Sequence, residues 1–164
     1  MSTTLPDKES VLREKADHPA VAAIINWKPE VLADARWDRD EMTLTIAREE
    51  IVGAGFAVQK VGYNFLEDVT AVDWFPASPR FQISYHIVSH THKERIRLRV
   101  MLDEERPSVD TITPVWPSAN YYEREVFDLF GVRFDGHPNL RRIMMPEEWE
   151  GHPLRKDYPV EGYR

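Results

Sequence analysis

The chain contains no cysteine. Iron–sulfur clusters, zinc–thiolate centres and thiol catalysis each need a thiolate, so none of them is expected on this polypeptide. The same absence removes any disulfide framework and makes a reducing compartment the natural setting. No apolar run approaches the length of a membrane span, and the opening Met1-Ser-Thr-Thr-Leu-Pro-Asp-Lys8 lacks the apolar stretch of a signal peptide. A cytoplasmic protein with at most indirect membrane contact is expected. Excess positive charge is missing too: a net charge of −7 and a pI near 5.4 argue against independent binding to nucleic acid or to an anionic bilayer. Catalytic signatures are equally scarce. Gly53-Ala-Gly55 lacks the strand–turn–helix setting of a phosphate loop, and there is neither a Gly-x-Ser-x-Gly elbow nor a His-Glu-x-x-His pair.

What is present suits one ordinary globular domain, since 42% of the 164 residues are hydrophobic and 30% charged. A chain of this length buries roughly 70% of its unfolded surface, enough for a core without metal or disulfide. Residues 1–18 are polar and read as a loose start, with a short helix available at Lys8–Lys15. Pro19 opens a second short helix over Ala20–Ile25, where its missing N–H costs nothing. Val31–Trp37 and Met42–Ile46 flank the polar turn Asp38–Glu41 as a hairpin, and Arg48–Lys60 reads as a helix weakened by Gly53 and Gly55. Phe65–Trp74 is a strand that stops at Phe75-Pro76. Phe81, Ile83, Tyr85 and Ile87 alternate with polar residues, as do Ile96, Leu98, Val100 and Leu102, predicting a second antiparallel hairpin around His90–Glu94. Its polar face carries Arg95, Arg97 and Arg99 in line, either a solvated strand face or a surface for an acidic partner.

Pro107–Pro117 is rich in structure breakers and precedes the best-marked helix of the chain. Asn120 can cap it, Glu123 completes a capping-box pattern, and Glu123 and Glu125 lie where the macrodipole favours acid. Tyr122, Val126, Leu129 and Phe130 form one apolar stripe, and Gly131 is placed as a left-handed stop. The element order gives an α+β fold over residues 19–131: a mainly antiparallel sheet of about five strands with helices packed on it. Beyond it, residues 132–164 read as an extended arm. Pro138, Pro146, Pro153 and Pro159 forbid long helices there, while Leu140, Ile143, Met144, Met145, Trp149, Leu154 and Tyr158 are interleaved with Arg141, Arg142, Arg155 and Lys156. Such a segment must lie on something, its own domain or a neighbouring polypeptide.

Few residues offer chemistry. His86, His90 and His92 could face one side of the second hairpin and bind a metal, which would make a free-standing metal-binding protein, but ordinary exposed histidines account for them as well. His137 and His152 recur in Gly-His-Pro, at Gly136-His-Pro138 and Gly151-His-Pro153, read as tight turns whose imidazoles bond the backbone. Glu125 and Asp128 share a helix face, and Arg124 with Asp128 forms an i,i+4 pair, the ordinary behaviour of surface charge. The residues alone describe a non-catalytic binding domain with a cationic arm.

Three linked blocks carry a resemblance. Trp116-Pro-Ser-Ala-Asn-Tyr-Tyr-Glu-Arg-Glu-Val-Phe-Asp-Leu-Phe-Gly131, Phe134-Asp-Gly-His-Pro-Asn-Leu-Arg-Arg-Ile143 and Trp149-Glu-Gly-His-Pro-Leu-Arg-Lys-Asp-Tyr-Pro159 resemble the signature of the C-subunit family of respiratory complex I, the proton-translocating NADH:quinone oxidoreductase. Glu67–Asp73 and Tyr85-His86 resemble the family's sheet, so the likeness spans about residues 20–160. The resemblance implies a structural subunit of the peripheral, quinone-module arm, with no cofactor of its own. FMN, iron–sulfur clusters and quinone would reside in partner subunits, and the chain would sit on the cytoplasmic side of the cell membrane through the complex. It further implies that Glu123, Arg124, Glu125, Asp128 and Gly131 set the helix and its contacts. His137, Pro138, Arg141, Arg142, His152, Pro153, Leu154, Arg155, Lys156 and Asp157 would serve the arm and its interfaces. Related subunits occur in membrane-bound hydrogenases, ferredoxin- or deazaflavin-dependent complexes and methanogen dehydrogenases, which leaves the electron donor open. Many relatives continue past the position of Tyr158 with a longer tail, so contacts made through such a tail are not expected here.

Overall fold

The computed structural model describes residues 7–162. Its order is α1 (Lys8–Glu14), α2 (Pro19–Trp27), β1 (Leu32–Asp38), β2 (Glu41–Ile46), α3 (Ile51–Lys60), β3 (Phe65–Asp73), β4 (Phe81–Ser89), β5 (Glu94–Leu102), β6 (Ser108–Asp110), α4 (Ala119–Phe130) and β7 (Arg133–Asp135). Asp7 caps α1 by accepting the Ser10 N–H at 2.8 Å, and Pro19 occupies the first turn of α2. Arg48–Glu50, expected inside one helix, forms a separate 3₁₀ turn ahead of α3.

Five strands form one sheet in the order β1-β2-β5-β4-β3. Both expected hairpins are there, β1 with β2 and β4 with β5, but β2 joins β5 in parallel, Met42 beside Ile96 and Thr45 beside Arg99. The α+β class therefore holds, with a mixed sheet. Strand parity sorts the faces. Met42, Leu44 and Ile46, Phe81, Ile83, Tyr85 and Ile87, and Ile96, Leu98, Val100 and Leu102 all join one core with Ile24 of α2 and with Ile51 and Val58 of α3. Removing such side chains from water contributes about 2 kcal/mol each, so this face holds the domain together.

The opposite face is polar and internally paired. Arg95 meets Glu41 and Glu67, Arg97 meets Glu41 and His86, and Arg99 meets Asp34 and the Thr45 hydroxyl. The arginine row thus already has carboxylates within its own sheet. A small parallel sheet of β6 and β7, in a stretch expected to be irregular, brings Val109 beside Phe134 and delivers the chain to α4.

Candidate functional site

The helix α4 ends in a cluster that binds the segment after it. Gly131 has φ +72°, the left-handed conformation in which glycine carries no Cβ penalty, and its N–H closes on the Phe127 carbonyl at 2.8 Å. A Cβ here would also stand 2.5 Å from Cδ2 of His152 and 2.7 Å from Nη2 of Arg155. The remaining orphan carbonyls of the helix are satisfied from the arm: Asp128 O accepts His152 Nδ1–H at 2.8 Å, Leu129 O accepts the Leu154 N–H at 3.0 Å, and Phe130 O accepts Arg155 Nε–H at 2.6 Å. The Arg155 guanidinium at this end also complements the negative pole of the helix.

Asp128 is the anchor. Its carboxylate is fully buried; Oδ1 accepts from Arg142 Nη1 at 2.7 Å, and Oδ2 accepts three consecutive backbone amides, Ile143, Met144 and Met145, at 2.9, 2.7 and 2.9 Å. Successive N–H groups curled round one oxygen form an anion nest, and here the anion belongs to the protein. Burial pushes this carboxyl's pKa up, but the three amides and Arg142 outweigh it and hold it below the ordinary aspartate value. Arg142 also donates to Gly151 O at 2.8 Å, tying one stretch of the arm to the next.

A second anchor lies nearby. Arg80 is 2% exposed and meets three carboxylates: Asp73 through two 2.9 Å bonds, Asp157 at 2.7 Å and Glu104 at 2.5 Å. Lys156 N–H donates to Asp73 at 2.9 Å, so this centre too fastens the arm. Burial raises the Asp73 pKa, yet Arg80 and the backbone amides of Lys156 and Phe75 bring it down to about 2. The Arg80 pKa is driven up, chiefly by its hydrogen bonds to Asp73 and Asp157. Arg80 and Arg155 both lie over the Phe81 ring, at 4.9 and 5.1 Å.

The residues singled out from the sequence distribute as follows. Asp128, Gly131, Arg142, His152, Leu154 and Arg155 come together at the helix end, while Asp157 reaches Arg80 and the Lys156 backbone N–H reaches Asp73. Pro153 joins His152 to Leu154, half-buried, while Glu125 and Pro138 are exposed. Arg124 does not pair with Asp128; its Nε donates to Arg141 O at 3.2 Å, because Asp128 turns into the drier site offered by Arg142 and three amides. Glu125 and Asp128 correspondingly part, one to solvent and one to the interior. The capping box does not form either. Ser118 is the N-cap, and Glu123, fully buried, reaches sideways to accept from Thr111 Oγ1 and the Ile112 N–H, at 2.5 and 2.8 Å. Burial raises the Glu123 pKa to about 7 against those two donors.

His137 and His152 do bond backbone groups, His137 Nε2–H donating to Asn120 O at 3.1 Å while its Nδ1 accepts the Asn139 N–H at 3.0 Å. The hairpin histidines go separate ways: His86 accepts from Arg97, His92 donates to Val61 O, and His90 lies against Phe65. Among the described residues no group of three His, Cys, Asp or Glu is placed to hold a metal ion. Asp73, Arg80 and Glu104 were not singled out from the sequence. A signal for Asp73 existed, because strand parity places it with Val69 and Ala71 on the apolar face; Arg80, between Pro79 and Phe81, gave none.

Residues 44–164 match the family model described as "Respiratory-chain NADH dehydrogenase, 30 Kd subunit". A protein of Geobacter sulfurreducens, named as the C subunit of NADH-quinone oxidoreductase, is 46% identical over 85% of this chain and 90% of its own length. One of the same name from Roseiflexus sp. RS-1 is 44% identical over 80% of this chain and 78% of its own. Among solved structures, Nqo5 of the trypsin-resistant fragment (1-134) superposes with a TM-score of 0.57 at 36% identity, covering 61% of this chain and 83% of that one. A chain of the membrane-bound sulfane sulfur reductase, an archaeal respiratory membrane complex, gives a TM-score of 0.74 over 88% of this chain and 86% of its own, at 22% identity, and so shares the fold.

Proposed function

The chain belongs to the family of the 30 kDa subunit of respiratory-chain NADH dehydrogenase, and from that premise we propose that it is a structural, non-redox subunit of the peripheral arm of an NADH:quinone oxidoreductase. The observation that carries this is identity of 44–46% to proteins named as the C subunit of NADH-quinone oxidoreductase, over four fifths or more of the chain. In this reading FMN, iron–sulfur clusters and quinone belong to partner subunits, and the chain lies on the cytoplasmic side of the cell membrane, held there by its neighbours. No helix of the described residues is long and apolar enough to cross a membrane, which suits a peripheral place.

The chain's own residues supply geometry. In this reading residues 19–131 are the domain, and the described part of the 132–164 arm, as far as residue 162, is laid along it by the two anchors at Asp128 and Arg80. Rigid fastening of the inner side leaves an outer side of large apolar groups: Met144 is 60% exposed, Leu154 52%, Trp149 40% and Ile143 38%. Groups of this size facing water in a row are the composition of an interface core, and the partner they meet is a subunit of the quinone module.

Purification of the tagged chain from detergent-solubilised native membranes, with mass spectrometry of its neighbours, tests the assignment. Recovery with a flavin-bearing, NADH-oxidising module is expected. Recovery with a nickel–iron centre, or as a solitary monomer, contradicts it.

A further inference from the structure

The helical side of the domain carries a second unpartnered surface, remote in sequence from the arm. Trp27, at the end of α2, lies against α3 at Gly53, where a Cβ would stand 2.3 Å from Cζ2 of the indole. That seating opens a groove of about 560 Å³ between α2 and α3, walled by Trp27, Phe56, Ala57 and Val61 with Lys60 at its rim. On the other flank of α2, Leu12, Val21, Ala22 and Ile25 line a second groove with Arg13 at its rim, and Asn26 belongs to both. Ile25, Trp27, Phe56 and Val61, all large apolar side chains, are each more than a third exposed.

Charge distinguishes this surface. The chain has 28 Asp and Glu against 21 Lys and Arg, yet no acidic side chain lines either groove. Lys60 and Arg13 are the only charged linings; Arg13 also acts on the exposed Asp7 carboxylate at the start of α1, which leaves Lys60 as the rim cation with no carboxylate of this chain within ion-pair distance among the described residues. Most other arginines near the sheet and the arm hold carboxylates of this chain. Rim cations, with no acidic lining, flanking concave apolar channels between helices are complementary to one kind of occupant. We propose that the α1–α2–α3 surface receives an acidic amphipathic helix of a neighbouring polypeptide, apolar face down, its carboxylates reaching Lys60 and Arg13. Helix-in-groove docking reads the apolar side chains at helical spacing, and the rim cations fix orientation. A flat bilayer would not fill channels of this shape. The inference assumes that the chain works in an assembly, but places on it a contact separate from the arm.

The test replaces Ile25 with photoreactive p-benzoylphenylalanine in the tagged full-length chain, irradiates the purified native assembly and sequences the cross-linked peptide. Capture of one acidic, amphipathic, helical segment is expected, with yield falling about tenfold in Lys60→Glu and persisting in Lys60→Arg. No cross-link, a basic or non-helical peptide, or a yield indifferent to Lys60→Glu overturns the proposal. So does binding of the isolated chain to phosphatidylglycerol vesicles that is lost in Ile25→Asp, which assigns the surface to lipid. Should the chain recover with no neighbours at all, it is the assignment to an assembly that fails, which the co-purification itself reveals.

Discussion

Arg142 donates to Asp128 at 2.7 Å across the helix stop, so a residue eleven positions beyond Gly131 holds the last turn of the helix that precedes it. The pairing explains why a proline-punctuated segment without regular hydrogen bonds of its own can have a fixed course. Its backbone amides at 143–145 are satisfied by one carboxylate, and in return its side chains satisfy the helix's carbonyls.

Asp128→Asn removes the charge from this nest. Hydrogen bonds to a charged acceptor are worth about 1.5–3 kcal/mol each, so protection of the Ile143, Met144 and Met145 amides against hydrogen exchange should fall by at least tenfold, while that of the β4 and β5 amides stays unchanged. Equal protection in variant and parent contradicts the anchor.

Gly131→Val forces a β-branched residue into φ +72° and drives its side chain into His152 and Arg155. The left-handed conformation alone costs about 1–2 kcal/mol, and the overlap adds to it. Urea unfolding should show a loss of about 2 kcal/mol or more; an unchanged midpoint shows that the arm does not close over the glycine.

Arg80→Met leaves Asp73, Glu104 and Asp157 facing one another without a cation. Only the Arg80–Asp73 pair is buried, Glu104 and Asp157 being solvent-exposed on their outer sides; breaking that buried pair costs about 3–5 kcal/mol, and Arg80→Lys should recover less than half of it because a point charge cannot reproduce the two-pronged contact with Asp73. Acid titration gives a second readout. The Asp73 folded pKa of about 2 lies below its ordinary value, so its contribution is complete above that ordinary value and is lost as pH falls through about 2. Full recovery of stability in Arg80→Lys contradicts the geometry.

Glu123 acts in the opposite sense and a different window. Its folded pKa of about 7 is above the ordinary glutamate value, so its neutral form is the stable one: the contribution is complete below about pH 4.3 and is lost as pH rises through about 7. Over that interval parental stability should fall relative to Glu123→Gln, whose amide mimics the protonated acid, by up to about 3 kcal/mol. A pH-independent difference between the two contradicts a titrating carboxyl at this position.

The regular frame was legible because it is written in periodicities. Tyr122, Val126, Leu129 and Phe130 mark α4, and the alternations at 81–87 and 96–102 mark the central hairpin. The parallel join of β2 to β5 was not, since nothing local in Met42–Ile46 reports a partner some fifty residues on. Side-chain destinations failed for the same reason. An Arg124–Asp128 pair on a helix surface is worth about 0.3–0.5 kcal/mol and is the best local guess, but Arg142 and three amides offer far more in a dry site. Glu123 stood where a capping box is expected, yet Thr111 and Ile112, delivered by the short strand β6, took its carboxylate instead. Asp73 was readable by parity. The Gly131 stop and the backbone bonds of the two Gly-His-Pro histidines are legible in the sequence, because both depend on residue type in a tight turn.

Hydroxyl-radical footprinting of Met144, Trp149 and Leu154 tests the central claim most directly, comparing the isolated chain with the same chain in its purified membrane assembly. These side chains are well exposed in the single chain. If the arm is fastened inward by Asp128 and Arg80 in order to present an outer face to the quinone module, their oxidation should drop at least about fivefold on assembly. Oxidation at the same rate in both forms would contradict the account.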